Sequence, residues 1–469
     1  MELIIPLHRN SPIYEQIYSH IKREIQRKNI LAGEKLPSTR ALSLSLKVSR
    51  STVQSAYDQL EAEGYISPRP GSGYYSNLFE GEAPEPLAAP LETVLEKKKE
   101  KEAAIDFSPW GVDLEDFPFA LWRRLYKQTL DKNNSSMFVN GDGRGEPALR
   151  RALVQYLYRA RGVRAKKEQV IIGAGSEYLL MLLGLLLGKG TVAFEEPTYV
   201  KAVKVFGSMG WKLCPFLGME EGLGGEIPGK NSADLAYVMP ANQYPTGRVM
   251  PVKCRLELLA WARREQCDIL EDDYDSEYRF KGKPIPSLQG MDPCNRVIYL
   301  GTFSRAIAPA IRVAYMVLPP SLMEGFQEKL SFLHCTVPRA DQNVLYQFLV
   351  GGHFERHLNR MRKAYRDKRD YLLSLLGEYL PQIQIGDSAA GLHLILQLEH
   401  AEKIAQVLKK QGVLAYPLSE FYVKQPKIDF GLLLGFARLS PEKMEEGVQI
   451  LARVLEEGFS PCQNQFPVV

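Results

Sequence analysis

The stretch from Ile269 to Arg312 constrains the fold of this chain more than any other. It opens with ILEDDYDSEYRF (Ile269 to Phe280) and closes with GTFSRAIAPAIR (Gly301 to Arg312). Ile269 and Leu270 read as a short apolar strand that delivers Glu271, Asp272 and Asp273 to its carboxyl end, the edge at which open α/β sheets place ligand-binding groups. A buried carboxylate stays ionised when it faces a cation. A protonated pyridine nitrogen is such a partner, with Tyr274 close enough to reach a neighbouring ring substituent. The closing segment supplies hydroxyls at Thr302 and Ser304 and guanidinium groups at Arg305 and Arg312, a cradle suited to phosphate.

The 469 residues imply two or three domains. With 45% apolar and 24% charged residues, the composition is that of a soluble protein with material for a large core. A formal charge of +4 is too small to argue for nucleic acid by itself, so any such reading rests on local pattern. Six cysteines (Cys214, Cys254, Cys267, Cys294, Cys335, Cys462) are scattered without a C-x-x-C pair or metal-ligand spacing. They read as reduced thiols of a cytoplasmic protein without a metal site. The opening MELIIPLHRN is too short an apolar run for a signal peptide, and the longest apolar stretch, around Tyr178 to Leu187, is too short to span a bilayer.

Ile13, Ile17, Ile21 and Ile25 recur every fourth residue and predict a first helix over Pro12 to Arg27. LPSTRALSLSL (Leu36 to Leu46) predicts a second, capped by Ser38. Ser49 caps a third over Ser49 to Ile66, with an apolar face at Val53, Ala56, Tyr57 and Leu60. SPRPGSGYYSN (Ser67 to Asn77) then reads as a hairpin wing turning at Gly71. The opening of the third helix carries Arg50, Ser51, Thr52 and Gln54 after Ser49, side chains able to reach base edges and phosphates from a major groove, while Arg40 reaches the backbone from the second helix. Helical triplets of this shape also serve as interaction modules, and Ser, Thr and Arg at a helix start also serve as caps.

The proline-rich, alternately charged stretch from Glu80 to Ala104 reads as a linker. Beyond it, strands alternate with helices and predict a mostly parallel sheet covered on both faces. QVIIGAGSEYLLMLL (Gln169 to Leu183) reads as strand, glycine turn and helix, an arrangement that points helix N-terminal amides at an anion, although glycines at such a junction also serve packing alone. TVAFEEPTYV ends at a turn bearing Tyr199, and LAYVMP leads into ANQYPTG, bearing Asn242. YMVLPPSL (Tyr315 to Leu322) reads as a strand with a proline stop. Phe354 to Leu376 reads as a long basic helix with Leu358, Met361, Tyr365 and Leu372 near one face.

LPSTR, VSRSTV, LEAEGYI and the glycine-containing wing, followed by EDDYDSEYRF and TFS, resemble the MocR-type regulators. These are a branch of the GntR superfamily in which a winged helix-turn-helix is fused to an aminotransferase-like domain of fold type I. The likeness covers nearly the whole chain. It implies a DNA-binding domain over 1–79, a linker over 80–104 and an effector and oligomerisation domain over 105–469, of which 380–469 is a small C-terminal subdomain. It implies pyridoxal phosphate as cofactor, double-stranded operator DNA, an amine or amino-acid effector, and a head-to-tail homodimer as partners. In this register Ser176 and Glu177 lie at the cofactor phosphate, Glu177 through its backbone N–H. Tyr199 stacks on the pyridine ring, Asn242 meets its phenolic oxygen or ring face, and Asp272 pairs with its nitrogen. Tyr274 is at a ring substituent, and Thr302, Ser304, Arg305 and Arg312 complete the phosphate end.

Two departures from the family pattern bear on chemistry. The family has a lysine after TFS that forms an internal Schiff base, and this chain has Arg305. A guanidinium stays protonated and cannot attack an aldehyde as an amine does. Lys281 and Lys283 do not replace it, since they follow the carboxylate strand on what reads as a surface turn. Active family enzymes also carry a carboxylate-clamping arginine before the last strand's Leu-Gly-Phe, where this chain has Leu433, with Arg438 beyond it. The expectation is a non-catalytic sensor with no catalytic residue. Three modes of cofactor use stay open: non-covalent pyridoxal phosphate, cofactor arriving as a preformed aldimine with the effector, or Arg305 as an engineered replacement of a native lysine. An active transaminase and a ligand-free structural domain are the rival readings.

Overall fold

The computed structural model describes residues 3, 5–8, 11–78, 104–131, 133–217, 233–280, 285–386, 390–424 and 430–458. The chain divides into two compact units, residues 1–100 and 101–469. Apart from Ala104, the expected linker lies outside the described residues, as do Lys281, Lys283 and Cys462.

In the first unit, α1 (Ile13–Gln26) buries Ile17, Ile21 and Ile25 at the expected spacing. Ile13, at the helix's first position, is instead 40% exposed. Helix α2 (Thr39–Leu46) starts after Pro37, with the Ser38 hydroxyl accepting from the Ala41 backbone N–H. Helix α3 (Arg50–Ala62) is capped in the same way, the Ser49 hydroxyl accepting from the Thr52 N–H at 3.1 Å. It buries Val53, Ala56, Tyr57 and Leu60 in one cluster with the isoleucines of α1. The helix stops short of Ile66 because Gly64 turns the chain at φ 78°, a conformation glycine adopts without steric cost. Ile66 opens β1 (Ile66–Arg69), which pairs antiparallel with β2 (Gly73–Ser76) to form the wing.

The second unit begins with β3 (Ile105–Asp106), α4 (Phe119–Thr129) and α5 (Pro147–Arg161). There follow β4 (Val170–Gly173), α6 (Ser176–Leu187), β5 (Thr191–Glu196), α7 (Val200–Ser208), β6 (Lys212–Leu217), β7 (Leu235–Val238), α8 (Val252–Glu265) and β8 (Asp268–Asp273). The short α9 (Leu288–Met291) precedes β9 (Val297–Thr302) and β10 (Ala314–Val317). These strands form a seven-stranded sheet in the order β4-β10-β9-β8-β7-β5-β6. Every pairing is parallel except those of β10, which runs antiparallel to both neighbours. A parallel neighbour needs a crossover, usually helical, whereas Phe303 to Val313 is a short return. The strand read with a proline stop runs from Ala314 to Val317, and Pro320 opens α10 (Pro320–Leu330), the helix position at which proline's missing N–H is harmless.

After α11 (Arg339–Val350), the long α12 (His353–Tyr379) joins two cores: Leu358 packs with the sheet, and Met361, Tyr365 and Leu372 with the C-terminal strands. Two of its basic residues make internal contacts. Arg362 donates to the Glu277 carbonyl at 2.7 Å, and Lys368 lies 2.7 Å from the Asp113 carboxylate. The remaining elements are β11 (His393–Glu399), α13 (Ala401–Lys410), β12 (Val413–Leu414), β13 (Tyr416–Pro417), β14 (Phe430–Gly435) and α14 (Pro441–Gly458). Strands β11, β14 and β13 form a small antiparallel sheet, while β12 pairs with β3. Ile105 and Phe107, from the start of the unit, therefore join a C-terminal core that extends beyond 380–469. Among the described residues no helix is long and apolar enough to cross a membrane.

Candidate functional site

In the first unit the residues expected at DNA gather at the start of α3. Arg50 is exposed, its Nε 3.4 Å from the Thr39 hydroxyl. The Ser49 hydroxyl also bonds those of Ser51 and Thr52, at 2.8 and 2.6 Å. Gln54 is tied down, donating to Asp58 at 2.7 Å and to the Tyr74 hydroxyl of the wing at 3.1 Å. Arg40 is exposed on α2, and Gly71 turns the wing at φ 75°. The sequence reading omitted Arg69 and Lys35. The Arg69 guanidinium stacks over the Tyr75 ring at 4.2 Å, and the Lys35 ammonium stands 6.0 Å from the same ring. An arginine directly before a Pro-Gly turn was the available signal.

The three carboxylates read as one cluster lie inside β8, where alternation sends them apart. Glu271 accepts the backbone N–H groups of Leu288 and Gln289, each at 2.8 Å. Asp273 pairs with Arg161 at 2.7 Å and takes the Tyr299 hydroxyl. Asp272 points elsewhere and accepts the Tyr237 hydroxyl at 2.7 Å. Burial lifts its carboxyl to about 7, against the pull of that hydroxyl.

Beside Asp272 the structure gathers side chains from five separate segments. The Asn242 amide donates to the Tyr274 hydroxyl at 2.9 Å and to both Asp275 oxygens at 2.8 and 2.9 Å. The Arg305 guanidinium carbon lies 5.9 Å from the Tyr274 ring centre. Tyr244 meets Tyr199, Tyr274 and His393 edge-on, with centroids 5.6–6.0 Å apart. Burial raises the Tyr199 phenol well above its ordinary value, Glu177 and Asp272 push it further, and Arg312 and Arg305 act against them. One phenol thus feels both ends of the site. Burial takes the His393 imidazole down to about 4, so the ring is neutral and its Nε2–H donates to the Pro245 carbonyl at 2.6 Å. Tyr237, Tyr244, Asp275 and His393 were not anticipated.

At the other end, Ser176 opens α6 directly after Gly175. The Arg312 guanidinium lies against Gly175, where a Cβ would collide with it, and donates to the Glu177 carboxylate at 2.9 Å. The glycine therefore has a specific task, to admit an arginine to the helix N-terminus. Burial opposes ionisation of Glu177, but its own backbone N–H and Arg312 outweigh that and hold it below the usual carboxylate range. The Glu177 side chain thus partners the guanidinium. The Thr302 hydroxyl accepts the Ser304 N–H at 3.1 Å and lies 3.4 Å from the Val313 carbonyl, so it braces the return; Ser304 is half-buried. Leu433 is fully buried among apolar side chains, and Arg438 pairs with Asp106 at 2.9 Å.

The profile of bacterial regulatory proteins of the gntR family matches residues 13–75, and that of class I and II aminotransferases matches residues 115–451. The HTH-type transcriptional regulator YhdI of Bacillus subtilis strain 168 is 38% identical, with 94% of this chain and 95% of that protein aligned. The probable rhizopine catabolism regulatory protein MocR of Rhizobium meliloti is 32% identical over 96% of this chain and 95% of that protein. Among solved structures, a kynurenine aminotransferase of Pyrococcus horikoshii superposes with a TM-score of 0.68 at 26% identity, covering 77% of this chain and 93% of that one. The chain belongs to the gntR family of bacterial regulatory proteins, in the MocR-type branch, and is a DNA-binding transcription regulator carrying an aminotransferase-like domain.

Proposed function

We propose that the aminotransferase-like domain is a non-catalytic sensor that holds pyridoxal phosphate without a covalent bond and responds to a small amine or amino acid. The observation that carries this reading is a concentration of unsatisfied polar atoms. Arg305 Nε and Nη2, Asn242 Oδ1, the Tyr244 hydroxyl and His393 Nδ1 are all buried without a hydrogen-bond partner. Such atoms are costly in a folded interior, and their clustering marks a place built for a polar occupant.

The residues fit the cofactor. Asp272 would face its ring nitrogen, Tyr199 the ring, and Asn242 with Tyr274 the phenolic oxygen. Ser176, the Glu177 backbone N–H, Ser304 and Arg312 would take the phosphate, with Thr302 bracing them. The bound cofactor supplies an electrophilic aldehyde, but Arg305 offers it no nucleophilic amine. An absorption spectrum with added pyridoxal phosphate, before and after borohydride, tests this beside Arg305→Lys. A borohydride-fixed chromophore is expected only in the lysine variant. Fixation in the parent chain would mean that another amine reaches the aldehyde, and would restore the transaminase reading.

The first unit would read operator DNA through Ser49, Arg50, Ser51, Thr52 and Gln54, with Arg40 and the wing around Gly71 on the backbone. A head-to-tail homodimer would present two such units to paired half-sites. Arg50→Ala is expected to weaken operator binding by about 1–3 kcal/mol with the fold intact. Unchanged affinity in a gel-shift titration would remove Arg50 from the interface.

A further inference from the structure

Arg305 is only 9% exposed, yet no carboxylate lies within ion-pair distance among the described residues. Its one polar contact there is a long one, Nη1 to the Gly111 carbonyl at 3.4 Å, and Nε and Nη2 have none. The nearby guanidinium groups are in a different state: Arg312 is paired with Glu177 and Arg438 with Asp106. Asp275 is the acidic neighbour best placed to neutralise Arg305, but both its oxygens are held by Asn242. An unpaired buried guanidinium is expensive, and its planar fork suits a carboxylate. Around it stand unsatisfied acceptors, Asn242 Oδ1 and His393 Nδ1, able to receive N–H groups.

Resting on the reading of this pocket as a pyridoxal phosphate site, we infer that Arg305 selects the effector: its guanidinium takes the carboxylate of an amino acid already joined through nitrogen to the phosphopyridoxyl group. The favoured occupant is then the conjugate, anionic at both ends, and not the bare cofactor. The conjugate forms in solution when the amino nitrogen replaces the aldehyde oxygen, which leaves as water, so no lysine is required. Arg312 and the start of α6 hold the phosphate end, and Arg305 the carboxylate end.

The test uses stable reduced conjugates, phosphopyridoxyl-L-alanine and phosphopyridoxyl-ethylamine, which differ by the carboxylate. Binding to the full chain is measured by titration calorimetry, for the parent and for Arg305→Gln. The alanine conjugate is expected to bind the parent at least about tenfold more tightly than the ethylamine conjugate, and the preference is expected to vanish in Arg305→Gln. Equal affinities in the parent, or a preference that survives in Arg305→Gln, would overturn the assignment of Arg305 alone. Failure of both conjugates to bind the parent would overturn the cofactor reading and this inference with it. Equal affinities in the parent would overturn it without any variant, even where the substitution disturbs folding.

Discussion

Asp272→Asn is expected to weaken pyridoxal phosphate binding by about 3 kcal/mol, roughly a hundredfold, because it removes the anion that a cationic ring nitrogen would face in a water-poor site. The same substitution has an opposite effect on the empty protein. Burial foremost, then Asp273 and Glu177, lifts the Asp272 carboxyl from 3.8 to about 7, with the Tyr237 hydroxyl pulling the other way. The folded chain therefore holds this proton more tightly than the unfolded chain does. The stability contributed by the group is complete below about pH 4 and is lost as pH rises through about 7. Asparagine has no such proton to lose, and it keeps an oxygen for Tyr237. Between about pH 5 and 8 the empty variant should lose less thermal stability than the parent. Glu271, Asp275 and Glu277, each also raised by burial to about 7, remain in both proteins and leave the difference intact. Weaker binding together with a lower melting temperature at about pH 8 would show damage to the fold and not loss of a charge partner.

Asp273→Asn should strike the fold itself, at a cost of about 3–5 kcal/mol. The pair it breaks is inaccessible, with the Arg161 and Asp273 side chains 7% and 1% exposed and 2.7 Å apart. Asparagine keeps the shape and an acceptor for Tyr299, but strands the Arg161 guanidinium in a place water does not reach. The midpoint of denaturant unfolding of the larger unit measures the loss. A change below about 1 kcal/mol would mean that water or neighbouring groups solvate Arg161 more than its burial indicates.

These two neighbours in sequence, with different fates, show what the chain revealed of its site and what it withheld. The strand, its carboxylates and the guanidinium-bearing segment after it were legible because each is local. The division of labour between Asp272 and Asp273 was not, since it depends on which strand lies alongside and on Arg161 arriving from α5. His393 comes from β11 and Tyr237 from β7, and no short-range pattern marks the first as a neighbour of Arg305 or the second as a partner of Asp272. In the first unit the helices and their Ser38 and Ser49 caps followed from periodicity and capping chemistry. The end of α3 was overestimated because the apolar pattern continues past Gly64 into β1. The sheet was read as mostly parallel, and β10 departs from that because its connection is too short for a crossover.

That short connection has a mechanical meaning. Arg305 and Arg312 are the two ends of one return between hydrogen-bonded neighbours, pinned at its base where the Phe303 N–H donates to the Val313 carbonyl at 2.9 Å. Neither end can be carried away from the other by a swinging loop or a closing subdomain, because both are fastened to the register of β9 and β10. The backbone positions from which the two positive charges reach out are thus held at a set spacing by the sheet. On the proposed reading of the pocket, molecules with negative charge at both ends would be sorted there by length.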